Sequence, residues 1–185
     1  VTGFKINYDL SGLQHIADIL DDAGKKAPVV LKAAIKHTGD KAVTAMRTAL
    51  VGQTGLKRKT LVKAIKGASS ADGYVIKSHG GNIRLKFFGA RETSKGVSAA
   101  PWNKRQIYAG TFIRSGWWPN RRAPIAGGQV LKRAGKAKYP IHGVKSGLFI
   151  AEEMVKGQSE AAFYQTLDTD LAPRIVHELA RILGA

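Results

Sequence analysis

The chain has 185 residues, enough for one hydrophobic core, and 44% of them are hydrophobic, an ordinary globular share. Thirty Lys and Arg against thirteen Asp and Glu give a formal net charge of +17, which points to a polyanionic partner or to acidic protein neighbours. The lack of cysteine excludes disulfides, Cys-ligated metals and thiol catalysis; no apolar run approaches the roughly 20 residues of a membrane span, and the start VTGFKINYDL has neither region of a signal peptide, so the expected site of synthesis and folding is a cytoplasm.

In chain order, FKINYDL alternates with Phe4, Ile6 and Tyr8 on one side and reads as a short strand. Ser11 is placed to cap a helix in which Leu13, Ile16, Ala17 and Leu20 share a face, with Gly24 as its stop. From Ala27 to about Val51, the apolar residues Leu31, Ile35, Ala42, Met46, Ala49 and Leu50 keep helical spacing behind Pro28 in the first turn, which predicts a long amphipathic helix. LKRKTLVKAIKG reads as a further basic helix, with Leu56, Leu61 and Ile65 inward, Lys57, Arg58, Lys59, Lys63 and Lys66 in solvent, and Gly67 with ASSADG as its end.

The middle reads as sheet. GYVIKSH and NIRLKFFGA alternate at period two about His79–Asn82, the signature of a hairpin. KGVSAAPW and RQIYAGTFI supply two more strands, and one four-stranded antiparallel sheet is the simplest assembly. Residues 115–138 hold Gly, Pro and basic residues without periodicity, and loops of that length in compact domains are functional or disordered. YPIHG is a short extended lead into a C-terminal helical region striped with Phe163, Leu167, Leu171, Ile175, Leu179 and Ile182, where Pro173 marks a kink or a new first turn capped by Asp170 or Thr169.

Charge follows the same divisions. Between Gly73 and Ala151 the only acid is Glu92, amid a dense set of cations from Arg84 to Lys145, while acids gather on the flanking segments. Catalytic patterns are thin: the five histidines form no ligand pair, Glu152 and Glu153 would point about 100° apart on a helix, and Gly80–Gly81 and Gly127–Gly128 match no phosphate-binding loop. Glu92 reads as a charge partner for a neighbouring Arg or Lys. The basic middle fits either phosphate contacts or acidic protein surfaces. Of the adjacent Trp117 and Trp118, one is expected to pack inward and the other to anchor a subunit contact, with base stacking as the lesser option.

FFGARETSKGVSA, followed by the strand ending GTFI at Gly110–Ile113, an aromatic basic segment and the YPI turn at Tyr139–Ile141, resembles the minor tail protein Z family of tailed phages, whose members are called tail completion proteins. The resemblance runs over roughly Lys57–Ala185 and is most specific at Arg91–Gly96 taken with GTFI. It departs after YPI, where members often carry a Gly-Pro-Ser element and this chain has Val144, Lys145 and Ser146. The resemblance implies a virion structural protein, assembled in the host cytoplasm, at the head-proximal end of the tail. Its implied partners are a tail terminator or tail tube protein, head-completion or connector proteins, and phage genomic DNA nearby, with no catalysis, cofactor, metal or membrane.

The expected fold is α+β: a mostly antiparallel sheet from the middle of the chain against a long N-terminal helix and a C-terminal helical region. A single domain is divided into a helical part at 1–67, sheet at 73–114, basic loop at 115–138 and helical region at 144–185. The phage context implies a closed, sixfold ring with heterologous interfaces. Interface candidates are Trp117, Trp118 and Phe149. DNA-facing or lumen candidates are Arg91, Lys95, Arg121, Arg122, Lys132, Arg133, Lys136 and Lys138, with the ARETSKGVSA ribbon an exposed strand or loop outside the core. The competing readings are a free nonspecific nucleic-acid-binding protein and, behind it, a nuclease or other hydrolase, for which no metal site assembles.

Overall fold

A computed structural model describes residues 27–71 and 73–183. The strand expected over FKINYDL and the helix expected over LQHIADIL lie outside them, as does the side chain of Ile182. Helix α1, Ala27–Thr54, carries Pro28 in its first turn as expected and ends at Gly55, whose N–H still donates to the Val51 carbonyl at 3.0 Å and whose φ of 75° then turns the chain out of the helix. Its buried stripe is Val30, Ala34, Thr38, Ala42, Met46 and Leu50, a strict i, i+4 row. Leu31, Ile35 and Ala49, expected on that face, lie half-buried at its margin. The difference arises because small residues at 34, 38 and 42 allow close approach of a second helix, while Gly39 admits the Tyr74 ring.

That partner is α4, Gly157–Leu183, reached through the short α3, Ile150–Met154. Phe163 and Ile175 of the expected stripe are buried, with Leu167, Leu171 and Leu179 packed beside them. The helix runs through Pro173 rather than restarting there, and Asp170 caps nothing: it accepts from Thr38 Oγ1 at 3.0 Å and pairs with Lys41, tying α4 to α1. Gln53 makes a second tie, with its amide donating to Glu153 Oε2 at 2.8 Å and its carbonyl oxygen accepting from Ser159 N–H at 3.2 Å.

The fold is α+β, as expected, with a long N-terminal helix packed on a C-terminal one and small antiparallel sheets from the middle of the chain. The single four-stranded sheet is not formed. The basic helix α2 is only Arg58–Ala64; Leu56, Leu61 and Ile65 are buried and the five basic residues exposed, as expected, but the chain then turns into strand β1, Ile65–Ser70. β1 pairs antiparallel with β2, Gly73–Ser78, in the register Ile65 opposite Ser78 to Ser70 opposite Gly73. A β-branched residue followed by Gly and two Ser is poor helix material, and Gly67 leaves room for the Tyr74 ring of β2.

The hairpin expected about His79–Asn82 is therefore replaced. β3, Asn82–Arg84, pairs with β10, Lys145–Phe149, and Leu85–Phe88 forms a 3-10 turn that buries Leu85 and Phe88. β4, Arg91–Thr93, β5, Gly96–Ala99, and β6, Gln106–Ala109, form a meander. Within ARETSKGVSA, Arg91, Ser94 and Lys95 are exposed, but all of β5 is buried, Val97 and Ala99 in the main core, so the ribbon is half core and half surface. Gly96, with φ 135°, is required there, because a Cβ would strike the Tyr108 carbonyl of β6. β7, Thr111–Phe112, β8, Leu131–Arg133, and β9, Ile141–Gly143, form the last sheet, so the segment read as a loop at 115–138 contains a strand. The main core gathers Met46 and Leu50 of α1 with Leu61, Ile76, Leu148, Met154 and Phe163.

Candidate nucleic-acid interface

The meander and the β7–β8–β9 sheet touch where the central strand β5 meets β7, with Val97 N–H donating to Thr111 Oγ1 at 3.0 Å. Between them, the β4–β5 turn, the 113–125 loop and the 134–140 loop enclose a groove of about 870 Å³. Among the described residues, six cations line it, Lys95, Arg114, Arg121, Arg133, Lys136 and Lys138, and no acid does. Among the described residues, only Arg121 of these six takes part in an ion pair. Trp117 and Tyr139 line the same groove and are 90% and 67% exposed.

Arg121 and Arg133 shape the groove as well as charging it. The Arg121 guanidinium lies 3.2 Å from Glu92 Oε1 and donates to the Gly116 carbonyl, while Glu92 Oε2 accepts from Arg114 N–H at 3.2 Å. The Glu92 side chain is 7% exposed. Glu92 thus serves the expected role of charge partner, holding the 114–121 segment against β4. Arg122 N–H to Ser115 O at 2.9 Å and Ser115 N–H to Ala123 O at 3.4 Å close the base of that segment. Arg133 lies 5.2 Å over the Phe112 ring and donates to the Lys138 carbonyl, which fixes the second loop. Lys138 in turn lies 5.7 Å from the Tyr139 ring centroid.

Of the eight sequence-predicted cations, Lys95, Arg121, Arg133, Lys136 and Lys138 meet in this groove. Arg91 instead lines an adjoining cleft of about 500 Å³ with Glu92, Trp118 and Arg121. Arg122 and Lys132 are exposed and line neither. Lys132 is separated from Arg133 by the alternation of side chains along β8. Trp117 and Trp118 do border different cavities, but neither is buried, the second being 48% exposed, so the expectation that one packs inward fails. Phe149, 37% exposed at the end of β10, borders neither cavity.

Sequence reasoning missed Arg114 and Tyr139. Arg114 was visible in principle, because it stands two residues beyond Phe112 at strand periodicity and both border the groove. Tyr139 had no local signal; only the pairing of β8 with β9 brings it opposite the β4–β5 turn. Among the described residues no group of three or more His, Asp or Glu is placed to hold a metal, and no helix is long and apolar enough to cross a membrane. No protein-family model, curated protein or solved structure matches the chain.

Proposed function

We propose that the chain is a structural virion protein of a tailed phage that completes the head-proximal end of the tail and lies next to the genome end. In this reading, copies close into a sixfold ring between the tail tube or terminator and the head-completion proteins, and no catalytic step is assigned. The observation that carries it is the groove, where, among the described residues, six cations and no acid line one cavity and a single one of those cations is ion-paired. Uncompensated like charge is tolerated where a polyanion neutralises it. The resemblance at Arg91–Gly96 and GTFI supplies the phage context, and the exposed Trp118 and Phe149 supply apolar anchors for neighbouring subunits.

The test is a native-mass measurement of the full chain, alone and mixed with the tail tube and head-completion proteins of the same phage, at low and moderate salt. A discrete ring formed with those partners is expected. A monomer that ignores them and binds DNA instead would replace this reading with that of a free nucleic-acid-binding protein. In the virion, charge reversal at Arg91 and Lys95 is expected to give assembled but non-infectious tails.

A further inference from the structure

The groove holds two features that duplex binding does not require. A basic channel reading only duplex phosphates needs cations, and the two most exposed aromatic side chains among the described residues would be a liability on its wall. Trp117 and Tyr139, 90% and 67% exposed, nevertheless both line it. Each is held by its neighbours: Gly116, one residue before Trp117, is fixed through its carbonyl by Arg121, and Tyr139 follows Lys138, whose carbonyl is held by Arg133. Cations that track a backbone, interleaved with aromatic faces that stack on unpaired bases, are the physical elements of a site for single-stranded nucleic acid.

From this arrangement we infer that the groove takes a single-stranded nucleic-acid segment, with Lys95, Arg114, Lys136 and Lys138 on its phosphates and bases stacked on Trp117 and Tyr139. Arg121 and Arg133 act as positioning residues that hold the two aromatic loops. An acidic protein segment would satisfy the cations but gives no reason for two exposed rings among them. The inference deepens the proposed function at the same groove, yet it is independent of whether the chain forms a ring.

The experiment is fluorescence anisotropy of the full chain with a labelled 20-nucleotide oligothymidylate and with a 20-base-pair duplex, each titrated with salt. The single strand is expected to bind more tightly than the duplex. Trp117→Ala is expected to weaken single-strand binding by at least about fivefold, the low end for loss of one base stack, with the salt slope and the duplex affinity unchanged. Trp117→Phe, which keeps an aromatic face, should restore most of the loss. Lys136→Ala with Lys138→Ala should instead lower the single-strand salt slope by about 1.4. Equal affinity for duplex and single strand, no loss in Trp117→Ala, or displacement of the oligonucleotide by polyglutamate at the same charge concentration would each overturn the inference. Assembly with tail partners without single-strand preference would sink this inference and leave the proposed function standing; single-strand preference without assembly would do the reverse.

Discussion

Two glycines in α1 should respond to the same substitution with opposite signs. Gly39 and Gly52 are both interior to Ala27–Thr54, so Ala at either should gain up to about 1 kcal/mol of helix propensity. A Cβ on Gly52 would meet nothing nearer than Gln158 Oε1 at 3.5 Å, an ordinary contact with the end of a flexible chain. A Cβ on Gly39 would fall 2.5, 2.6 and 2.7 Å from Cγ, Cδ1 and Cδ2 of Tyr74, about 1 Å inside carbon contact distance. The ring has no retreat. Its tip lies against Gly67, where a Cβ would be 2.8 Å from Cε1 and Cζ, and its hydroxyl donates to Asp40. Overpacking a closed site costs about 3 kcal/mol at the upper end of its usual range, so Gly39→Ala should lose about 2 kcal/mol net.

For a chain of this size, that is a fall of roughly 4–8 °C in Tm, against a rise of roughly 2–4 °C for Gly52→Ala. Both are read by thermal unfolding followed by circular dichroism at 222 nm. The decisive arm is the cycle with Tyr74→Ala. Once the ring is gone, Gly39→Ala should stabilise as Gly52→Ala does, giving a coupling of about 3 kcal/mol. If Gly39→Ala stabilises the unmodified protein, or if its cost persists without the ring, the packing of β2 on α1 described above is wrong.

Further outcomes follow from the buried carboxylates. Glu153 is 5% exposed and accepts from Gln53 at 2.8 Å, Lys156 at 3.0 Å and Trp102 at 3.1 Å; Glu153→Ala removes all three contacts, while Gln53 keeps its bond to the residue's carbonyl at 3.0 Å, and should cost about 1–3 kcal/mol by denaturant titration. Arg121→Ala leaves the Glu92 carboxylate, 7% exposed, without its cation, whereas Glu92→Ala frees an arginine already 20% exposed; tryptic cleavage at Arg114 and Arg122 should therefore accelerate more in the arginine variant. Burial pushes Glu153 up, but the donors from Gln53, Lys156 and Trp102 outweigh it and hold the group below its ordinary 4.5; the Lys41 contact, against burial and with help from Thr38, holds Asp170 below 3.8. Groups with depressed folded values stabilise fully above their unfolded values and lose that contribution as pH falls through the folded ones. Tm should thus be flat from pH 7 to about 5.5 and fall below about pH 4.5, with a shallower fall in Glu153→Gln; an equal slope in that variant would contradict the assignment.

The helices were legible because their periodicity is long and their burial one-sided. Pro28 and Gly55 mark the ends of α1, and Phe163 to Leu179 mark the inner face of α4. Sheet partners were not legible, because a three-residue strand such as Asn82–Arg84 carries no information about which distant strand it meets, and it meets Lys145–Phe149. The break at Ala64–Ile65 was misread for a related reason: one continuing basic, apolar pattern spans a helix and a strand, and what decides the change is the Tyr74 ring, which only the fold brings over Gly67. At the groove, five of the eight chosen cations converged because the whole stretch from Arg91 to Tyr139 folds back on itself through β7, β8 and β9. The three that did not were lost to strand alternation and to a turn, which composition does not encode.

The segregation of charge along the chain has a physical sense once the groove is in place. Four acids on α1, α3 and α4 are committed to named partners: Asp40 to Lys36 and Tyr74, Glu153 to Gln53 and Lys156, Asp170 to Lys41, and Glu178 to Arg174 and Arg181. Those contacts stabilise the helical frame without neutralising the sheets. Among the described residues of the sheets and their connections the one acid is Glu92, whose side chain is nearly buried and paired with Arg121 and the Arg114 backbone, so it shapes the groove while screening only one of the six cations described there. A second carboxylate on that wall would relieve repulsion and stabilise the isolated chain, yet none of the described residues lining it is acidic. Adding one at an exposed, structurally idle position, Ser94→Glu, should therefore raise stability by roughly 0.2–1 kcal/mol at low salt, an effect that salt erases, while weakening oligonucleotide binding. If Ser94→Glu stabilised the protein and left binding intact, the cations of the groove would not be where the polyanion sits.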